Sequence, residues 1–381
     1  MKFIDEFRDR ELAGGLAAAI RQAARQQRDY HFMEFCGGHT HAIARYGVSD
    51  LLPANVHMIH GPGCPVCVLP IGRIDMAIRL AVDAGVILCS YGDPLRVPAS
   101  GGLSLLRAKA ALGGSGDIRM VYSAADALRL ARENPQRQVV FFAIGFETTT
   151  PPTAVVIRQA QALGLKNFSV LCCHVLTPAA IASILESPRV RQWGSVRIDG
   201  FIGPAHVSTI IGSRPYEFFA AEYRKPVVIA GFEPLDVMQA ILMLIGQVNA
   251  GRAVVENEFA RAVTRDGNRK AQQLVAEVFE LRRSFAWRGL GELPYSALRI
   301  RRAFADFDAE RRFPVSYQAV PDHPACECGA VLRGARRPQD CRIFGSVCTP
   351  ENPVGSCMVS SEGACAAHYS FGRFADAAVA P

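Results

Sequence analysis

The chain has 381 residues, half of them hydrophobic and only 20% charged, with a net charge of +7, as suits a globular protein of two or three domains. Its arginine clusters (Arg299-Arg301-Arg302, Arg311-Arg312, Arg336-Arg337) alternate with acids or apolar residues, which argues against nucleic acid and is compatible with a docking face for an acidic protein. No apolar run reaches the roughly 18 residues of a membrane span, and the charged stretch Asp5 to Glu11 lacks the apolar region of a signal peptide, so a cytoplasmic location is expected.

Residues 1–28 have apolar positions at helical spacing: Phe3, Phe7, Leu12, Leu16 and Ile20. Strand-like apolar runs then recur at 30–35, 56–59, 86–89, 118–122, 139–144, 168–172, 198–202 and 226–230, separated by helix-like or loop segments. Short continuous apolar runs alternating with helices predict parallel sheets covered on both faces. The expected fold is α/β. Two similar parallel-sheet domains, 26–116 and 117–235, face a cleft. A helical and loop-rich domain is built from 1–25 and 236–381. Because eight strands are countable, an eight-stranded barrel is the alternative. The break between halves is placed at Gly101-Gly102 and Gly113-Gly114-Ser115-Gly116, and a repeated Gly-Phe-Glu at 145 and 231 hints at related halves. From 235 to 312 the pattern reads as helical, with Val237, Ala240, Ile241, Leu244, Leu274 and Val278 in phase.

The chemistry gathers after the strands, where α/β sheets place ligands. After the first run comes Cys36-Gly37-Gly38-His39-Thr40-His41, and after the second Gly61-Pro62-Gly63-Cys64-Pro65-Val66-Cys67. A Cys at a strand end facing a helix N-terminus is expected to have a lowered pKa. Cys64 and Cys67, on a Gly/Pro-rich loop, either close a redox disulfide or offer two soft metal ligands. Three thiols thus converge on one sheet edge. Glu147, in Gly145-Phe146-Glu147-Thr148-Thr149-Thr150, is either a proton carrier in a cleft or a capping residue. No P-loop and no Gly-x-Gly-x-x-Gly follows any strand, so nucleotide binding is unsupported. Cys89, Cys172 and Cys173 lie in apolar runs and read as packing.

Twelve cysteines in a chain without a secretory signal point to metal or thiol chemistry rather than a disulfide framework. Six of them, Cys326, Cys328, Cys341, Cys348, Cys357 and Cys365, crowd into a Gly/Pro/Ser-rich tail. The tail lacks the paired Cys-x-x-Cys spacing of zinc sites, and its irregular spacing suits a 4Fe-4S cluster. Four of the six are required, and spacing alone does not choose them.

Phe-Cys-Gly-Gly-His-Thr-His, Gly-Pro-Gly-Cys-Pro-Val-Cys, Gly-Phe-Glu-Thr-Thr-Thr-Pro and the tail Cys-Glu-Cys-Gly through Cys-Met-Val-Ser-Ser-Glu-Gly-Ala-Cys occur in order over nearly the whole chain. Together they resemble the HypD family of [NiFe]-hydrogenase maturation factors. The resemblance implies a scaffold, paired with a HypC chaperone, on which an iron atom acquires cyanide and carbon monoxide ligands. Cyanide arrives from HypE with HypF, and the product passes to the hydrogenase large subunit. It also implies Cys36 as an iron ligand beside His39, Cys64 and Cys67 as a thiol/disulfide pair, and a 4Fe-4S cluster. Cys326, Cys341, Cys348 and Cys357 are the expected cluster ligands, with Cys328 and Cys365 as substitutes. Two readings from other classes stand beside it: a free-standing iron–sulfur thiol oxidoreductase acting on a small molecule, and a purely structural iron–sulfur adaptor.

Overall fold

The computed structural model describes residues 4–111, 116–186 and 197–372. Two parallel sheets organise them. The first contains β1 (Tyr30–Glu34), β2 (Val56–His60), β7 (Gly200–Gly203), β8 (Val227–Ile229) and β9 (Val255–Asn257), in the order β2-β1-β7-β8-β9. The second contains β3 (Ile87–Ser90), β4 (Asp117–Met120), β5 (Val139–Gly145) and β6 (Phe168–His174), in the order β4-β3-β5-β6. All of these pairings are parallel. β5 and β6 run side by side from Val139↔Phe168 to Gly145↔His174, every residue buried. Strands covered on both faces must be apolar throughout, which is why both were legible as unbroken runs.

Among the described residues, eight α-helices precede the return to the first sheet: α1 (Arg10–Ala23), α2 (Gly37–Arg45), α3 (Val48–Leu51), α4 (Ile71–Val82), α5 (Leu105–Ala111), α6 (Ala124–Glu133), α7 (Thr150–Ala162) and α8 (Thr177–Glu186). Asp9 caps α1 by accepting from the Leu12 amide, and Ser123 with Asp126 closes a capping box on α6. α1 buries Ala17 and Ile20 against the helix Pro234–Asn249, in a core shared with Tyr30, Ile202 and Ile241.

The structure corrects several expectations. The eight runs form two open sheets rather than a barrel. Sheet membership does not follow a cut at 116/117: β3 pairs with β4 and β5, while β7 and β8 return to β1. Apolar periodicity reports which segments are strands but carries no information on which strand hydrogen-bonds to which. The stretch 235–312 is only partly helical. Helices Pro234–Asn249 and Arg269–Val278 are followed by the antiparallel pair β10 (Phe279–Leu281) and β13 (Leu298–Ile300), and by the hairpin of β11 (Ser284–Trp287) and β12 (Gly291–Pro294). Strands of three or four residues are too short to display a period of two. At the N-terminus the helix starts only at Arg10, after a 3-10 turn at Asp5–Phe7. Of the expected break, Gly101 and Gly102 sit in a tight turn with φ of +63° and +73°, and 113–115 lie outside the described residues. No described helix is long and apolar enough to cross a membrane.

Candidate functional site

β1 and β2 are neighbours, so the two thiol loops that follow them emerge side by side. The loops are joined: Gly37 N–H donates to the Gly63 carbonyl at 3.0 Å, and Gly61 N–H to the Glu34 carbonyl at 2.9 Å. A methyl group on Gly63 would fall 2.5 Å from the Cys36 nitrogen and 2.7 Å from its Cα. This close approach is what the glycine provides.

Cys36 is the N-cap residue of α2, which begins at Gly37 rather than near Thr40, and is 4% exposed. Its Sγ lies 3.8 Å from His206 Nδ1. The expectation of a lowered thiol pKa does not hold: burial pushes the Cys36 thiol up to about 12, against weaker opposing hydrogen bonds from the His206 and Gly38 backbone. Desolvation of the charged form outweighs the field of one helix end. Below the thiol, fully buried Glu34 accepts from Cys36 N–H at 2.9 Å and from the Thr40 hydroxyl, and pairs with His60 Nδ1 at 2.9 Å. One carboxylate thus ties the thiol loop, α2 and β2 together.

His39 is fully buried, and its Nε2 donates to the Ala230 and Gly231 carbonyls at 3.0 and 2.9 Å. Its buried Nδ1 has no partner among the described residues, and burial lowers its pKa. The Phe232 ring contacts both His39 and His206, with centroids 5.3 and 4.1 Å away. A methyl on Gly38 would strike that ring at 2.4 Å. The carboxyl edge of the first sheet therefore brings together Cys36, His39, His206 and Phe232 from the ends of β1, β7 and β8.

Cys64 and Cys67 occupy a buried turn, in a core shared with Leu88, Phe142, Leu171 and Trp287. Both are free thiols, and Cys67 N–H points at Cys64 Sγ at 3.2 Å. Burial is the main cause that raises the Cys67 pKa, and its thiol contacts those of Cys64 and Cys357. Ser356 Oγ donates to the Cys67 carbonyl at 2.5 Å, and a methyl on Gly363 would lie 3.1 Å from Cys67 Sγ. The tail is strapped over the Cys64–Cys67 turn.

Within the tail, Cys357 touches Cys328, Cys365 and Cys67. Cys326 and Cys328 interact, and a methyl on Gly355 would stand 2.5 and 2.4 Å from their sulfurs. Cys348 Sγ accepts from Val354 N–H at 3.4 Å. Cys341 stands aside, its sulfur 3.9 Å from the Ala325 carbonyl. Soft thiols so concentrated fit an iron–sulfur cluster in donor chemistry, although among the described residues no group of three or more ligands is arranged to hold a metal ion. Of the expected quartet, Cys326, Cys348 and Cys357 lie in the thiol-rich core, and Cys341 lies apart from it.

Glu147 lies elsewhere. Its two oxygens accept from Thr177 N–H at 2.9 Å and Thr177 Oγ at 3.0 Å, holding the start of α8, and burial pushes its pKa up to about 7. The matching Glu233 caps helix Pro234–Asn249 and pairs with Arg8. Both Gly-Phe-Glu triplets thus serve helix starts. Glu34, His206, Phe232 and the Cys67–Cys357 contact were not singled out from sequence. His206 follows β7 closely, but nothing in the spacing aimed it at Cys36. Cys89, Cys172 and Cys173 are buried strand residues.

Fold and site define a thiol protein of the α/β class, with a buried cysteine, a Cys-x-x-Cys turn and a cysteine-rich tail converging on one sheet edge. The HypD family model, described as a hydrogenase formation family, matches residues 11–372. The hydrogenase maturation factor HypD of Cupriavidus necator is 72% identical over 376 residues, 99% of this chain and 98% of the relative. That of Rhizobium leguminosarum bv. viciae is 67% identical over 374 residues, covering 98% and 96%. Escherichia coli HypD is 46% identical over 376 residues, covering 97% and 98%. The chain belongs to the HypD family of hydrogenase maturation factors.

Proposed function

We propose that the protein is a cytoplasmic scaffold for assembling the iron moiety of [NiFe]-hydrogenases, with iron carrying cyanide and carbon monoxide as its cargo. It works paired with a HypC-type chaperone, HypE with HypF supplies cyanide, and the hydrogenase large subunit receives the product. The observation that carries the reading is the fusion of the two thiol loops at one sheet edge, with His206 facing Cys36. Cys36 is the iron ligand, a soft donor suited to iron with strong-field ligands. His206 and His39 line the same place, and Glu34 fixes the Cys36 loop from below. Cys64 and Cys67 form a dithiol whose closure to a disulfide releases two electrons and two protons.

A 4Fe-4S cluster, when bound, would exchange electrons one at a time with these thiols. Cys326, Cys341, Cys348 and Cys357 would hold it, with Cys365 competing for the place of Cys357 because Cys357 also touches Cys67. That contact gives the dithiol a direct neighbour in the tail.

The test is an infrared spectrum of the protein purified without oxygen together with its chaperone partner. Cyanide and carbonyl stretching bands are expected in the parent complex and are lost in Cys36→Ala, while the cluster absorbance persists. Absence of the bands in a fully assembled complex with an intact cluster would favour a free-standing thiol oxidoreductase instead.

A further inference from the structure

β2 is the outer strand of the first sheet, and it borders a groove of about 770 Å3. Parallel pairing sends alternate peptide groups to the neighbour. Gly61 N–H already points to Glu34 of β1, so the N–H groups of Met58 and His60 face outward, into the groove. An outer strand with free peptide groups is a template for another extended chain.

The groove selects among such chains. Its rim carries three arginines, Arg197, Arg336 and Arg337, beside His31, His57 and His60, and Asp50 is the single carboxylate among its described lining residues. Arg336 and Arg337 have partners, Glu327 and Asp340, each at 3.3 Å, and Arg197 has Asp199 at 3.5 Å. These arginine side chains are 51%, 74% and 51% exposed, and ion pairs that exposed contribute little and exchange readily for an incoming carboxylate. The floor is apolar, with Ile43, Val331 and Phe371.

We propose that this groove docks an extended, acidic segment of a partner protein, which pairs with β2 as an added strand and alternates acidic with apolar side chains. Charge steers the segment, peptide hydrogen bonds hold it, and every second side chain meets the floor. At the end of the groove His60 bonds to Glu34, whose other oxygen holds the Cys36 amide. The docked strand therefore ends two hydrogen bonds from the thiol loop. The surface does not depend on the iron chemistry, and its test uses no iron.

The test takes the full-length protein and a fluorescein-labelled peptide of about eight residues alternating valine and glutamate, long enough to span β2. Saturable binding by fluorescence anisotropy is expected, weakening about tenfold or more in the Arg336→Glu/Arg337→Glu double variant, a loss of roughly 1.4 kcal/mol or more. Thermal unfolding of that variant should match the parent. Amide exchange at 56–60 should slow when the peptide is bound, and a peptide with lysine for glutamate should not bind. The proposal is overturned by no saturable binding, by equal binding in the double variant, or by binding that leaves exchange at 56–60 unchanged. Displacement of the peptide by millimolar inorganic phosphate would also overturn it, by showing a simple anion site.

Discussion

Glu147 shows how burial decides the behaviour of a single residue. Its carboxyl is 7% exposed and accepts two hydrogen bonds from Thr177, yet desolvation still raises its pKa from 4.5 to about 7. The folded protein holds this proton more tightly than the unfolded chain. Its contribution to stability is therefore complete below pH 4.5 and is lost as pH rises through 7. Glu147→Gln keeps the shape without the titration. We expect the variant to flatten the stability profile between pH 4.5 and 7 by up to about 3 kcal/mol, measured by urea unfolding at each pH. An unchanged profile would show that Glu147 ionises freely in the folded state. At this scale the sequence exposed the thiols, because Cys between Gly and Pro is conspicuous. It concealed Glu34 and His206, whose roles arise only when β1, β2 and β7 are laid side by side.

Among the elements, the tie between α4 and the small strands after β9 rests on one carboxylate. Glu310, in the short helix Ala309–Arg312, pairs with both Arg73 of α4 and Arg282 beside β10. The Arg73 guanidinium lies over the rings of Phe285 and Tyr317, 4.9 and 4.8 Å from their centroids. These arginine side chains are only 9% and 14% exposed, so removing the acid leaves two nearly buried cations without their common partner. We expect Glu310→Ala to cost about 3–5 kcal/mol. Breaking the exposed Arg299–Glu280 pair should cost below about 1 kcal/mol. Denaturant midpoints for the two variants check the contrast, and equal losses would remove Glu310 from its role as a tie. Long buried strands such as β5 were legible from composition alone. The short strands β9 to β13 were not, because their stability comes from partners such as Trp287 and Ser296, which bond at 2.9 Å, rather than from a local pattern.

Over the whole molecule, the chain leaves the first sheet after β2, builds the second, and comes back. Phe201 of β7 pairs with Met33 of β1 and packs edge-on to Phe35 at 5.7 Å. Closing so long a loop is entropically costly before the contact rewards it, so this pairing should form late in folding. Phe201→Ala is expected to lose about 3–5 kcal/mol, nearly all of it as faster unfolding. Stopped-flow measurement of both limbs tests this, and refolding slowed in proportion would instead place β7 in the nucleus. Composition and strand count made the two-sheet α/β class legible, but the interleaving was not, since it depends on hydrogen-bond partners far apart in the chain.

The strap of Ser356 and Gly363 over Cys67 also sets an order of events during synthesis. The turn holding Cys64 and Cys67 leaves the ribosome about 290 residues before Cys357, roughly half a minute at about 10 residues per second. Throughout that interval the side of the dithiol that the tail covers stands open to solvent, oxidants and metal ions, and the last stretch of the chain completes its enclosure. The redox state that the dithiol holds when translation ends is the one from which the finished fold starts.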